Sequence, residues 1–192
     1  METIDLSGTL GLIATIVLTV NVLLGMLLST AYKTKKWWQQ LPPVIRKLNI
    51  NAIHNYTAYI VAGLVLVHFL IIPMDPASHF KWMDLAWPTG APHQPYMVLL
   101  GAVSFLALLV VIITTQKAVK KNLGFRLWKN IHLIAYPLCL LFIIHGIKMD
   151  PELKDRPTDW LDGEKLLSEL CGLVLLVATI IRYTYHLKIN KK

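Results

Sequence analysis

Four stretches of this chain, 6–32, 48–74, 85–116 and 130–147, contain no Asp, Glu, Lys or Arg. A helix crossing a hydrocarbon core of about 30 Å needs about 20 residues, so the first three span it with length to spare and the fourth just does. A fifth stretch, about 166–185, holds Glu169 and Arg182, both near its ends, where long side chains reach the interface. Pro95 suits the first turn of the third helix, which leaves 85–94 as loop. The sequence therefore predicts an all-α integral membrane bundle. It is a single domain over 1–192, with spans near 7–32, 50–74, 95–116, 129–149 and 165–186.

The charged residues orient the bundle. Lys33, Lys35, Lys36, Arg46 and Lys47 fill the first loop, and Lys117, Lys120, Lys121, Arg126 and Lys129 the third. Arg182, Lys188, Lys191 and Lys192 end the chain, and none of these segments carries an acid. Ten of the 11 acids lie in the N-terminus, the second loop and the fourth loop, and the eleventh, Glu169, stands near the start of the fifth span beside that loop. The positive-inside rule then puts the N-terminus outside and the C-terminus inside, in keeping with an odd number of spans. The net charge of +8 is thereby used up as a topology signal, and nucleic acid is not an expected partner. The first span is too long for a removable signal peptide and lacks its basic n-region. Cys139 and Cys171, single in separate spans, read as buried apolar residues.

Within these apolar stretches lie four histidines, which are costly at bilayer depth and so mark a functional site by default. His54 and His68 are 14 residues apart, which returns to within about 40° of the same helix face after roughly 21 Å of rise. His132 and His145 are 13 apart, a misfit of about 100° on an ideal helix. Pro137 lies between them and cannot donate to the carbonyl of Leu133, so a local distortion is expected there. The second and fourth spans run in the same direction, which pairs His54 with His132 near the inner face and His68 with His145 near the outer one. Each outer histidine is followed by Met-Asp-Pro (74–76 and 149–151), a helix stop.

Two imidazoles per site, from facing helices, suit haem iron. Zinc sites gather three or four ligands, often with carboxylates, and no acid lies in a helix core here. Structural histidines at helix contacts are the bland reading for any one of the four. Propionates would need cations near the faces: Arg46, Lys47, Arg126 and Lys129 for an inner haem, and Lys148 for an outer one. Each also serves as an ordinary topology-setting base. Gly63 lies between His54 and His68, where a porphyrin could approach the backbone, although glycine also packs membrane helices. Tyr56, Tyr59, Trp128 and Tyr136 fall within about a turn of the inner histidines, and an interface belt accounts for Trp37, Trp38 and Trp128. His79, His93, Trp82 and Trp87 read as solvated loop residues near the outer site, and His186 as an interface residue.

The run Thr114-Thr115-Gln116-Lys117-Ala118, Leu123-Gly124, Trp128, Ile131-His132, Tyr136 and Ile144-His145 resembles the ferric reductase-like transmembrane domain. That family includes the membrane cores of NADPH oxidases and ferric reductases. It also includes the haem-binding membrane subunit of the bacterial periplasmic methionine sulfoxide reductase system. The resemblance covers roughly 41–188. It implies that His54, His68, His132 and His145 hold two b-type haems, and that the 13-residue step with Pro137 is shared by the family.

Members of the oxidase and ferric reductase type continue into a flavin and nicotinamide domain, whereas this chain shows no G-x-G-x-x-G fingerprint. The expectation is an oxidoreductase or electron-transfer subunit in a bacterial cytoplasmic membrane. It takes electrons from a separate reductase, flavin or membrane quinol and gives them to an outer acceptor, protein or small molecule. The alternative is a haem-bearing anchor subunit of a larger respiratory or photosynthetic complex. A histidine-based transporter would show broken helices and midplane carboxylates.

Overall fold

The structure, a computed structural model, describes residues 3–150, 153, 157 and 159–190, and of residues 164 and 186–190 the backbone alone. Pro151, Lys191, Lys192 and the side chains of His186 and Lys188 lie outside the described residues. Those described form an all-helical bundle without a strand, and five helical segments are long and apolar enough to cross a membrane.

The first uncharged stretch folds as α1 (Thr3–Leu28). It stops short of position 32 because Ser29 and Thr30 turn their hydroxyls back onto the carbonyls of Met26 and Leu27, at 2.7 Å each. Such local bonds compete with helix continuation, and Ala31 then takes a left-handed conformation at φ 50°. The basic segment that follows holds two short helices, α2 (Lys36–Gln39) and α3 (Pro43–Arg46). Tyr32 meets Trp38 edge-on at 4.5 Å, and both are buried with Ile50. Trp38 is therefore a core residue rather than part of an interface belt, a place that its exposed neighbour Trp37 still fits.

The second span is α4 (Ile50–Ile71), capped by the Asn49 side chain, which accepts from the Ala52 N–H at 3.1 Å. It ends as the Asp-Pro signal predicts: Asp75 is extended and its carboxylate accepts from the Ala77 N–H. The short α5 (Trp82–Ala86) leads to α6 (Pro95–Thr115), which starts on its proline as expected.

The third basic segment differs from the loop the sequence implies. Only Gln116, at ψ 139°, separates α6 from α7 (Lys117–Leu133), so Lys117, Lys120, Lys121, Arg126 and Lys129 lie on a helix. Gly124 (φ 73°, ψ 161°) breaks that helix in a conformation that L side chains resist. The fourth span thus starts inside α7, steps at Ile134 and continues as α8 (Ala135–Lys148). The step lies next to Leu133, whose carbonyl has no Pro137 N–H to accept. The fifth span is α9 (Gly163–Asn190).

Helix α1 packs mainly along α4, and α6 along α8. At the end of the bundle that carries the C-terminus, Arg182 on α9 donates to the Ser29 carbonyl and Lys35 to the Tyr185 hydroxyl. At the other end, Gln94 joins the start of α6 to the Lys148 carbonyl and the Asp150 N–H. Val61, Ser104, Leu138 and Cys139 are the most deeply buried side chains. Cys139 and Cys171 are both buried free thiols.

Candidate functional site

His54 faces His132 with ring centroids 6.1 Å apart, and His68 faces His145 at 6.4 Å. Early histidine meets early and late meets late, so α4 runs parallel to the α7–α8 pair. Ile134, at φ −61° and ψ −21°, separates α7 from α8 within the 13-residue step, and both its histidines still reach their partners on α4. A metal–imidazole bond of about 2.0–2.1 Å, with the ring centre roughly 1.1 Å further on, puts two imidazoles on opposite sides of one ion about 6.2 Å apart. Both separations match that figure. The ring planes cross at 76° and 81°. Among the described residues, neither pair is joined by a third His, Cys, Asp or Glu.

Three of the four imidazoles sit in the same kind of notch. His68 Nδ1 donates to the Ser7 carbonyl at 2.7 Å, His54 Nδ1 to the Asn21 carbonyl at 3.0 Å, and His145 Nδ1 to the Met97 carbonyl at 2.8 Å. Four residues after each acceptor, on the same helix face, stands a glycine. A Cβ added at Gly11 would lie 3.1 Å from the His68 ring, at Gly25 3.2 Å from His54 and at Gly101 2.8 Å from His145. The missing side chain is the space the ring occupies. With Nδ1–H tied to a carbonyl, each ring presents Nε2 as the free lone pair, which is how a ligating histidine is held and made more basic.

Two of the notches are on α1, where Ser7 and Gly11 serve His68 and Asn21 and Gly25 serve His54. Side chains strengthen them. The Ser7 hydroxyl lies 3.0 Å from His68 Nδ1 and donates to the His68 carbonyl at 2.9 Å. The Asn21 amide donates to the His54 carbonyl at 2.6 Å and to the Thr57 hydroxyl at 2.7 Å. Sequence reasoning alone assigns the first span no task beyond crossing the membrane. A signal is nevertheless present: a polar residue and a glycine four apart recur after 14 residues, the step that separates His54 from His68.

His132 is held differently. Its Nδ1 is buried and has no hydrogen-bond partner among the described residues. Its ring stacks on Trp128 at 5.4 Å and 22°, and the Lys120 ammonium lies 3.5 Å from the centre of the Trp128 ring. Trp128 is thus a contact of the site rather than a belt residue. Tyr56 and Tyr59 are exposed instead. Gly63 is also exposed, with nothing within 4 Å of where its Cβ would lie, so it is not one of the notches.

A cavity of about 310 Å³ opens beside His68 and His145, at the lower end of the range of about 300–1,000 Å³ for ligand sites. Its walls are mostly apolar, with Gly8, Gly11, Gly101 and Phe105 among them. Of the five bases nominated from sequence, Arg46, Lys47, Arg126, Lys129 and Lys148 all have exposed side chains. Lys148 lies 4.7 Å from the centre of the Trp160 ring and is not in the cavity wall. The cation that is there is Lys165, in the first turn of α9, which stands in sequence beside the acids of the fourth loop. His93 tilts against Phe80 at 6.3 Å, and His79 takes a left-handed turn; neither joins a histidine pair.

The sequence matches the family model described as ferric reductase like transmembrane component over residues 10–143. The match takes in α1 from residue 10 onward, which the sequence resemblance leaves out, and ends two residues before His145. No solved structure matches the chain.

Proposed function

The chain belongs to the ferric reductase-like transmembrane component family, and from that premise we propose that it is a b-type cytochrome holding two haems and moving electrons across the bilayer. Membership makes it a membrane electron-transfer component. The observation that carries the finer reading is the separation of the paired imidazoles, 6.1 and 6.4 Å, the span of two axial ligands on one iron. With two protein ligands per site, a macrocycle is the group that completes the coordination. His54 and His132 would hold one haem and His68 and His145 the other.

When bound, haem supplies a one-electron ferric–ferrous couple. The chain supplies the rest. Ser7, Asn21 and Met97 fix three ligand rings through their carbonyls, and apolar walls lower the local dielectric. Seven residues from each histidine of α4, Val61 is fully buried, and with Leu138 and Cys139 it fills mid-height between the pairs. Arg46, Lys47, Arg126 and Lys129 surround the end of the bundle where propionates of the His54–His132 haem would emerge. The asymmetry of basic residues sets that end inside. Electrons then run from an inner reductase, flavin or quinol to an outer acceptor, in the cytoplasmic membrane of a bacterium.

The full chain purified in detergent should give two haems by pyridine haemochrome assay and a low-spin b-type spectrum. In vesicles it should carry electrons from an added reductant to ferricyanide trapped inside. Protein without haem would refute the reading, and a single haem would remove transmembrane transfer by this chain alone.

A further inference from the structure

Lys165 is 6% exposed, lines the cavity beside His68 and His145, and makes no hydrogen bond or ion pair with any described residue. A buried ammonium without a counter-charge is strongly disfavoured, so an anion is expected opposite it. The described residues around the cavity include no Asp or Glu. Glu169, one turn along α9, leaves its Oε1 buried and without a partner among the described residues. Ser168, 3% exposed, lines the same cavity. Its Oγ would lie 3.3 Å from a Cβ built at Gly146, the residue after His145, which places the hydroxyl beside the ligand helix. An ammonium, a hydroxyl and an apolar slot ending on two imidazoles are complementary to a planar apolar group that carries a carboxylate.

We infer that Lys165 and Ser168 bind a propionate carboxylate of the group held between His68 and His145. The inference rests on the two-haem reading and names the partners of one of those haems. It moves the cation from Lys148, which the sequence favours and which stands outside the cavity, to Lys165. The ammonium neutralises the propionate and thereby favours the reduced iron, whose net charge is one unit more negative. The hydroxyl donates a second, weaker bond to the same carboxylate.

The test is a redox titration of the purified full chain, followed by absorbance and assigned with His68→Ala, which leaves the other haem alone. In Lys165→Met, both haems should remain, and the reduction equilibrium constant of the His68–His145 haem should fall about tenfold, which is about 59 mV for one electron. Lys165→Arg should restore the wild-type value, and Lys148→Met should leave it unchanged. Should Lys165→Met fail to accumulate, Lys165→Gln reads the same shift. Ser168→Ala should lower the constant about threefold, as loss of one hydrogen bond does. An unchanged constant in both the neutral Lys165 variants and Ser168→Ala would overturn the inference and leave Lys165 to an external anion. Wild-type protein without a haem on this pair would instead end the two-haem reading, a failure visible before any variant is made.

Discussion

His68 and Ser7 hold each other by backbone and side chain at once. The ring Nδ1–H of His68 donates to the Ser7 carbonyl, while the Ser7 hydroxyl donates to the His68 carbonyl. One turn further along α1, Gly11 gives the ring its space. Orientation of this imidazole is therefore a property of the α1–α4 contact and not of α4 alone.

Gly101 tests the notch most sharply, because a methyl there would lie 2.8 Å from His145 Cε1. Gly101→Ala should displace the ring and lower haem affinity at the His68–His145 pair by about 10–100-fold, the usual range for disturbing a ligand's supporting shell. The haemochrome assay should then approach one haem per chain. Gly63→Ala, placed in open space, should keep two.

Asn21 gives two interhelical hydrogen bonds from a buried amide. Asn21→Leu should destabilise the bundle by about 1–2 kcal/mol, since each such bond in a membrane protein contributes about 0.6 kcal/mol on average and Thr57 loses a partner. Unfolding by SDS titration measures it. An equal stability of the variant would mean that the Nδ1 bond to the Asn21 carbonyl, which the substitution spares, carries the contact.

His132 lacks the orienting bond the other three have and leans on Trp128. Trp128→Ala should therefore loosen one axial ligand of the His54–His132 haem. The reduced variant should bind carbon monoxide at that haem, whereas the wild type and Gly63→Ala should not. A variant as inert as the wild type would show that the stacking does not hold the ring.

The ring planes of both pairs cross at close to a right angle. Perpendicular axial imidazoles donate into different iron d orbitals and leave them nearly degenerate, which makes the low-spin ferric signal strongly anisotropic. Electron paramagnetic resonance of the oxidised protein should show two such signals with large low-field features. Three-line rhombic spectra would indicate parallel planes. His68→Ala should remove one signal and spare the other.

Pro137→Ala would return an N–H to the helix and a partner to the Leu133 carbonyl. A continuous helix from α7 into α8 would then restore the misfit of about 100° between His132 and His145. At least one haem should be lost, with helix content unchanged by circular dichroism.

Five spans were legible because an uncharged run of helical length has one physical outcome in a bilayer. The pairing of the histidines was legible from the direction of the spans. Span four blurred at its start because Gly124 and Gln116 turn a basic segment that remains helical, and charge alone does not separate an exposed helix from a loop. Trp38 was misread for a related reason: an aromatic residue at an interface and one folded under Tyr32 look alike in sequence. Gly11, Gly25 and Gly101 escaped because glycine in a membrane helix has several uses, and only the facing ring says which. Lys165 is hard to single out in sequence because Asp162 and Glu164 stand beside it, whereas the described residues around its cavity include no acid.

Carbonyl oxygens orient three of the four imidazoles, and no point mutation deletes a carbonyl. Replacing Met97 or Asn21 changes a side chain and leaves the acceptor for His145 or His54 standing. The ring bonds are thus insensitive to side-chain drift at the acceptor residues, and the arrangement is brittle at the glycines, whose contribution is the space they leave. A survey of natural variants should find position 97 permissive, positions 7 and 21 confined to side chains that keep their bonds to α4, and positions 11, 25 and 101 closed. His132, with a stack in place of a notch, is the ligand whose surroundings selection is freest to retune.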